Sequence, residues 1–445
     1  MNKLKDCLIV MALTLTLVFP VVVEAQDAGN ARTVTAALLD ALDAGNYTGA
    51  EAMFTPEMAA AVPAARLQAV WESLPAQAGE ARGRGEAMIR EAEGATLVAV
   101  PLHYAGAELV AEVAVTASGK IAGFLVKPGA PPAAPAPAAD AGFSERDLMI
   151  GEGERSLPAT LAMPDGAGPF PAVVLVHGSG PQDRNETIGP NRPFLDIARG
   201  LAAQGIAALR YEKRSKARPQ DYMANGSLTI DSETTDDAVL ALQALHAVAA
   251  VDGKRVFVLG HSQGGMMAPR IAAHAIKAGV PVAGLVLMAA PSRKLLDIVL
   301  EQQRRLAVLD DGHTSAEEAA AIAKLQQQVV KLRAGEVVAL QDSPMNLPAA
   351  YWRSVDDVDP VAEAKADALP MLVLQGARDI QVVDADWQGW RDGFHADPAV
   401  TFQLYPTLNH LGIAGEGEGN LAEYSKPGHV DSQLIHDTAA WILVH

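Results

Sequence analysis

The chain has 445 residues, of which 49% are apolar and 20% are charged. These fractions are close to the averages for soluble globular domains, so they argue against a largely disordered protein and against a multi-span membrane protein. Acidic residues outnumber basic ones by 53 to 35, and the formal net charge is -18. Such a surface repels phosphate backbones, and no Lys/Arg cluster offsets it, so the composition predicts no nucleic-acid partner.

The N-terminus has the pattern of a cleaved signal peptide. Two lysines precede an apolar run at residues 8–23, and Val23-Glu24-Ala25 places small residues where a signal peptidase cuts. The alternative, a membrane anchor, needs ~20 apolar residues. We therefore predict that residues 1–25 are removed and that the mature protein is periplasmic or secreted, without stable membrane association. Cys7 is the only cysteine, so the mature chain holds no disulfide and no thiolate metal site.

A stretch rich in proline and alanine at residues 129–141 predicts a spacer between two domains. Residues 27–128 come before it and residues 142–445 follow it. Upstream, apolar residues at helical spacing are followed by alternating runs, which predicts a small α+β domain. The predicted helices there are 31–42 and 64–74, and the predicted strands are 97–102, 109–115 and 121–126.

Downstream, short apolar runs alternate with helical patterns, which is typical of an α/β domain whose parallel sheet is covered on both faces. The predicted strands are 172–176, 206–209, 255–259, 282–288, 371–374 and 401–404. An insertion at about 292–367 separates the fourth and fifth of these strands, and its stretch 317–338 has high helix propensity. Open α/β sheets bind ligands at the carboxyl ends of their strands, so we expect this insertion to form a lid there.

The candidate nucleophile is Ser262, in the motif Gly260-His261-Ser262-Gln263-Gly264. This motif follows a predicted strand and opens a predicted helix, which is the context that G-x-S-x-G requires. The glycines let the backbone turn sharply and leave the serine hydroxyl exposed above the sheet.

A serine hydroxyl needs a base, and the base needs an acid that holds its tautomer. Asp379 follows one predicted strand and His410 follows the next, so both are expected at the same edge of the sheet. The order serine, acid, histidine is that of α/β-hydrolases. His429 is the alternative base, whereas Asp384 and Asp386 lie at the start of a helix and are interpreted as its caps.

The oxyanion formed during acyl transfer needs fixed N–H donors. We predict the backbone N–H groups of Gln263, next to the nucleophile, and of Ser179, in the glycine-rich loop after the first buried strand. Gly180 is the alternative to Ser179. No metal-binding or nucleotide-binding pattern occurs in the sequence, so neither a metal nor a cofactor is predicted.

Four segments together resemble one family of bacterial α/β-hydrolases. They are 177–186, 209–214, 260–265 and 408–411. The resemblance covers about residues 143–445. Members of this family look like carboxylesterases or acyl hydrolases related to the serine aminopeptidase and dienelactone-hydrolase groups. It implies a cofactor-free hydrolase with the triad given above. The chain departs from the family at Asn185, where an acidic residue is usual, and at Ser215, where glycine is usual.

The upstream domain resembles a small NTF2-like (cystatin-like) domain of uncharacterised role that precedes α/β-hydrolase domains in some exported bacterial proteins. Gly45-Asn46-Tyr47, Phe54 and the helix around Trp71 carry this likeness. Together with the insertion described above, these resemblances predict an α/β-hydrolase domain with a helical lid, preceded by a small α+β domain.

Polar residues flank the predicted site and have two interpretations. They either line the site or form buried ion pairs that fix its loops. These residues are Asp183, Arg184, Arg210, Tyr211, Lys213 and Arg214.

The leading functional hypothesis is hydrolysis of a small-molecule acyl ester through an acyl-enzyme. A peptidase or amidase is the alternative, because Asp356, Asp357 and Asp359 in the lid are candidates for binding a terminal amine. A third hypothesis is an exported binding protein whose hydrolase fold is inactive.

Overall fold

The computed structural model describes residues 26–92, 94–105, 107–129, 135–220, 228–309 and 312–445. The predicted signal peptide lies outside these ranges. The chain divides between Ala134 and Pro135 into two compact units. In the described part of the chain, no helix combines the length and the apolar character needed to cross a bilayer.

The N-terminal unit packs helices against an antiparallel sheet, as the α+β prediction requires. The strands are β1 Ala81–Arg84, β2 Met88–Ala92, β3 Ala95–Tyr104, β4 Glu108–Val115 and β5 Ile121–Pro128. Strand β3 pairs with β1, β2 and β4, and β4 pairs with β5. The helices are α1 Gln26–Asp43, α2 Tyr47–Glu51, α3 Pro56–Ala61 and α4 Ala64–Ala78. Every second residue of β3 is buried, so one face of the sheet forms the core with α1.

The C-terminal unit contains an eight-stranded sheet in the order β13-β12-β11-β10-β8-β9-β7-β6. Its strands are β6 Phe143–Ile150, β7 Leu157–Pro164, β8 Phe170–Val176, β9 Ala207–Tyr211, β10 Val251–His261, β11 Gly284–Met288, β12 Met371–Gly376 and β13 Val400–Tyr405. The six strands from β8 to β13 are parallel and coincide with the six predicted ones. Strands β6 and β7 were not predicted, and they pair antiparallel, so the sheet is mixed.

Helices cover both faces of this sheet. Along β8, Ala172, Val174 and Val176 face one core, whereas Val173 and Leu175 face the other. The helices outside the insertion are α5 Pro193–Ala202, α6 Arg214–Ala217, α7 Asp236–His246, α8 Gln263–Lys277, α13 Asp384–Phe394 and α14 Ser432–Val444. A π-helical turn, Asp231–Thr235, leads into α7. This doubly covered sheet is the architecture that the sequence predicts.

The insertion between β11 and β12 is helical. Its helices are α9 Leu295–Leu309, α10 Ala316–Arg333, α11 Ala349–Asp356 and α12 Pro360–Asp367. Helix α10 starts at a capping box formed by Ser315 and Glu318 and ends before the predicted limit of residue 338. Helix α12 packs on α8, where Glu363 forms an ion pair with Arg270. Helix α12 is therefore the crossover that returns the chain to β12, and the helices before it form the lid.

Candidate active site

Ser262 occupies a strained turn between β10 and α8. Its φ of 52° lies in the left-handed region, which disfavours any residue with a side chain. The Ser262 N–H donates to the carbonyl of Met288 at 2.9 Å and fixes this conformation. A Cβ on Gly260 would collide with the carbonyl of Gly264, and a Cβ on Gly264 with that of Val176. Only glycine fits at both positions, which explains the spacing of the motif.

His410 and Asp379, from the two loops that follow β13 and β12, form a buried hydrogen bond. The His410 Nδ1–H donates to Asp379 Oδ2 at 2.7 Å. The other carboxylate oxygen accepts from the backbone N–H groups of Gln381 at 2.8 Å and Val382 at 3.0 Å. These bonds fix both the carboxylate and the tautomer of the ring, so that Nε2 carries the basic lone pair. The structure thus brings together the predicted acid and base.

A second histidine, His261, lies directly before the nucleophile and beside the base. Its ring centroid is 4.7 Å from that of His410, and its Nε2–H donates to the His410 carbonyl at 2.8 Å. Its Nδ1 lies 2.9 Å from the carboxylate of Glu186. Burial opposes charge on both groups, but their mutual attraction raises the pKa of His261 and lowers the pKa of Glu186. The buried His261–Glu186 pair therefore supports the loop that carries His410.

The glycine-rich loop predicted to supply an oxyanion donor passes directly beside Ser262. A Cβ on Gly178 would lie 3.2 Å from the Ser262 Cβ. The Gly178 N–H donates to Glu186 Oε1 at 2.7 Å, and the Gly178 carbonyl accepts from Lys213 Nζ at 2.8 Å. Buried charged side chains thus fix both the N–H and the carbonyl of Gly178, the residue before Ser179.

His177 begins the same loop and is buried between two aromatic rings. Its ring centroid lies 5.1 Å from that of Phe194 and 5.1 Å from that of Tyr211. Burial lowers the pKa of His177 to about 4, although the carboxylate of Glu186 opposes this shift. His177 is therefore neutral at pH 7 and acts as a packing residue beneath the loop.

The side chain of Gln263, the other predicted oxyanion residue, belongs to a buried polar network that reaches the lid. Its Nε2 donates to the hydroxyl of Tyr351 on α11 at 3.1 Å, and that hydroxyl donates to Glu233 Oε2 at 2.8 Å. Lys213 Nζ lies 3.4 Å from both the Glu233 carboxylate and Gln263 Oε1. The lid is hydrogen-bonded to the residue that follows the nucleophile.

The alternative base, His429, lies on the surface. Its side chain is 88% exposed, and Nδ1 contacts the carboxylate of Asp196 at 3.2 Å. This environment is unlike the buried one of His410.

The expectation that Asp384 and Asp386 cap their helix is wrong. Val383 is the N-cap residue and makes no side-chain cap bond. Asp386 is fully buried, pairs with Arg293 at 2.7 Å and accepts from the N–H of Ser292 at 3.1 Å. Asp386 instead fixes the start of the insertion.

Most of the polar residues that flank the site form ion pairs or hydrogen bonds that fix its loops, which is the second of the two interpretations given above. Asp183 accepts from two N–H groups of its own turn, and the arginines form ion pairs with acidic partners. The pairs are Arg184 with Asp147 and Glu212, Arg210 with Glu145, and Arg214 with Asp237. Lys213 differs, because it contacts the site itself.

Sequence reasoning missed the roles of His261, Glu186, Glu233 and Tyr351. His261 occupies a variable position of the G-x-S-x-G motif, and Glu233 lies 118 residues from Tyr351 along the chain. No spacing rule connects such residues. Within the described ranges, no group of three or more His, Cys, Asp or Glu side chains is arranged to hold a metal ion.

Two family models match separate parts of the chain. Residues 36–124 match a protein of unknown function (DUF3887), and residues 168–416 match "Serine aminopeptidase, S33". The chain is also similar to Esterase EstD of Thermotoga maritima, with 34% identity over 401 residues, which is 89% of this chain and 92% of that relative.

Solved structures of similar fold include Est1E from Butyrivibrio proteoclasticus, with a TM-score of 0.42 and 14% identity over 67% of this chain and 99% of that one. The Pyrococcus furiosus esterase Pf2001 has a TM-score of 0.40 and 17% identity, over 61% of this chain and 84% of that one. The serine aminopeptidase model spans more than half of the 445 residues, and the Thermotoga relative matches along most of the chain. The chain therefore belongs to the α/β-hydrolase family described as serine aminopeptidase, S33.

Proposed function

We propose that this protein hydrolyses carboxylic esters of small molecules through Ser262, His410 and Asp379. The observation that carries the proposal is the buried 2.7 Å hydrogen bond between His410 and Asp379, at the edge of the sheet where Ser262 lies on its strained turn. The name of the Thermotoga relative, an esterase, supports an ester rather than an amide substrate.

In the first half of the reaction, Ser262 Oγ attacks the carbonyl carbon while His410 Nε2 accepts the hydroxyl proton. The carbonyl oxygen becomes an oxyanion, which the N–H groups of Ser179 and Gln263 are proposed to stabilise. His410 then donates the proton to the leaving alkoxide as the C–O bond breaks. In the second half, water attacks the acyl-enzyme by the same route and releases the acid.

The aminopeptidase alternative finds less support in the lid. Asp356 pairs with Arg333 at 2.8 Å, and Asp359 caps α12 by accepting from the N–H of Ala362 at 3.0 Å. Asp356 and Asp359 therefore already have structural partners, whereas Asp357 is exposed at the end of α11.

The test compares wild type, Ser262→Ala and Ser144→Ala on p-nitrophenyl esters of increasing acyl length and on aminoacyl p-nitroanilides. Ser144 is exposed on the edge strand β6 and serves as the matched control. We expect ester hydrolysis by the wild type and by Ser144→Ala, and its loss in Ser262→Ala. Unchanged activity of Ser262→Ala would refute the proposal. Hydrolysis of the anilides without hydrolysis of the esters would favour the peptidase alternative.

We propose further that the enzyme acts in the periplasm or outside the cell. The charged and apolar pattern of residues 1–25 supports export. Mass spectrometry of the protein made with its native N-terminus tests this, and we expect a mature chain that begins at Gln26. An intact N-terminus together with cytoplasmic fractionation would refute export.

A further inference from the structure

A buried polar network of Lys213, Glu233, Gln263 and Tyr351 connects the lid with both predicted oxyanion donors. All four side chains are at least nine-tenths buried. The triad mechanism uses none of these side chains. A buried ammonium group, carboxylate, amide and phenol are expensive to desolvate, so an arrangement that satisfies all of them requires an explanation.

Lys213 acts on the first predicted oxyanion donor, the Ser179 N–H, through the peptide group between Gly178 and Ser179. The Gly178 carbonyl that accepts from Lys213 Nζ at 2.8 Å belongs to the same peptide as the Ser179 N–H. In a trans peptide the C=O and the N–H point in opposite directions, so a donor fixed on the carbonyl side sets the direction of the N–H. A charged donor also polarises the peptide, which strengthens its N–H as a hydrogen-bond donor.

Tyr351 acts on the second donor through the side chain of Gln263. The amide of Gln263 donates to the Tyr351 hydroxyl at 3.1 Å, and its oxygen lies 3.4 Å from Lys213 Nζ. Gln263 is the first residue of α8, so a fixed side chain also fixes the Ser262–Gln263 peptide that carries the donor. Lys213 is thus common to both donors.

Glu233 closes the network and makes it depend on the lid. Its carboxylate accepts from the Tyr351 hydroxyl at 2.8 Å and lies 3.4 Å from Lys213 Nζ. If α11 moved away, Gln263 would lose an acceptor and Glu233 a donor, and both groups are buried. The position of Lys213, and with it that of the Gly178 carbonyl, would then be less well determined.

We propose that Lys213, Glu233 and Tyr351 are positioning residues that hold the N–H groups of Ser179 and Gln263 in place, so that the seated lid completes the oxyanion hole. The proposal rests on the proposed esterase function. Its consequence is that the lid contributes to stabilisation of the transition state as well as to substrate binding.

The test uses Tyr351→Phe, which removes one oxygen atom, together with Lys213→Met and Glu233→Gln. The matched control is Tyr405→Phe, because the Tyr405 hydroxyl also donates to a carboxylate at 2.8 Å, that of Asp437, outside the network. For each variant, kcat is expressed per active site counted with a serine-directed phosphonate. This normalisation removes the effect of any unfolded fraction.

Loss of a direct oxyanion donor lowers kcat by ~10²–10³, so we expect about a tenfold fall for Tyr351→Phe and about a hundredfold fall for Lys213→Met. KM should change by less than about threefold, because the ground-state carbonyl relies little on these donors. The inhibition constant of a trifluoromethyl ketone, whose serine adduct carries an oxyanion, should rise in parallel with the fall in kcat. Tyr405→Phe should match the wild type in all three values.

Effects confined to KM, or a trifluoromethyl ketone affinity that stays at the wild-type value in Tyr351→Phe and Lys213→Met, would overturn the inference and leave the esterase proposal standing. Failure of the esterase proposal has a different signature, namely activity that persists in Ser262→Ala. If Lys213→Met does not fold, Tyr351→Phe and Glu233→Gln decide the question. In the double variant Tyr351→Phe/Glu233→Gln we expect the two losses to be less than additive, since both act through one network.

Discussion

Replacing His177 by phenylalanine should change how the stability of the catalytic unit depends on pH. His177 is buried between Phe194 and Tyr211, and burial lowers its pKa from the ordinary value of 6.5 to about 4. The folded protein therefore binds this proton less readily than the unfolded chain does. Phenylalanine keeps a ring in the same space and cannot titrate.

The sign and the size follow from linkage. Because the folded pKa is the lower one, acid favours the unfolded chain, and stability falls as pH drops below 6.5 until the folded group also protonates near pH 4. The lowering of the His177 pKa to about 4 corresponds to roughly 3 kcal/mol in total. Between pH 7.5 and pH 5.5 the part due to His177 is about 1 kcal/mol.

The measurement is urea unfolding at pH 7.5, 6.5 and 5.5, followed by tryptophan fluorescence. A Trp71→Phe background confines the signal to the catalytic unit, because the other four tryptophans lie there. Other groups titrate in both proteins, so the informative quantity is the difference between the wild-type and His177→Phe curves. We expect the wild type to lose about 1 kcal/mol more than the variant. Parallel curves would refute the reasoning.

Three further predictions concern contacts around the site. Asp379→Asn should lower kcat on a p-nitrophenyl ester by ~10⁴ while near-UV circular dichroism is preserved, because the base loses its tautomer; a kcat within tenfold of the wild type would contradict this role. Glu186→Gln leaves His261 buried without its carboxylate and should lower the free energy of unfolding by about 3–5 kcal/mol in urea, and a loss below about 1 kcal/mol would argue against a charged pair. Asp386→Asn weakens the attachment of Arg293 and should speed limited proteolysis near the start of the lid; an unchanged cleavage rate would show that the lid is held elsewhere.

In the C-terminal unit, five of the six strands that the sequence predicts correctly, β8 to β12, are buried on both faces. Strands β8 to β12 lie side by side in the sheet, and their apolar runs are continuous or nearly so. Strand β13 lies at the edge, and only its two end residues are buried. Strand β6 was missed because it is an edge strand that carries Ser144, Glu145, Arg146 and Asp147, which do not alternate with apolar residues. Pairing with β7, rather than its own hydrophobicity, keeps it extended.

The candidate triad could be predicted because each member follows a strand in a fixed order, so local context was sufficient. Asp386 was misinterpreted because its distance from the helix start suggested a cap, whereas its partner Arg293 lies 93 residues away. The network of Lys213, Glu233 and Tyr351 also depends on contacts between distant segments. Its residues become recognisable only once the lid is placed over α8.

The path of the insertion bears on how enzymes of this kind diversify. Helix α12 performs the crossover from β11 to β12, and Arg293 is attached to Asp386, so both ends of the lid are attached to the scaffold. The two ends also contact each other, because Lys294 Nζ donates to the Asp356 carbonyl. The loops between the lid helices can therefore change in length without shifting the register of the sheet, whereas apolar lid residues such as Trp352 and Val355 belong to the core. If the hydroxyl of Tyr351 is required for activity, a lid exchanged between homologues has to place a hydroxyl group at the same position.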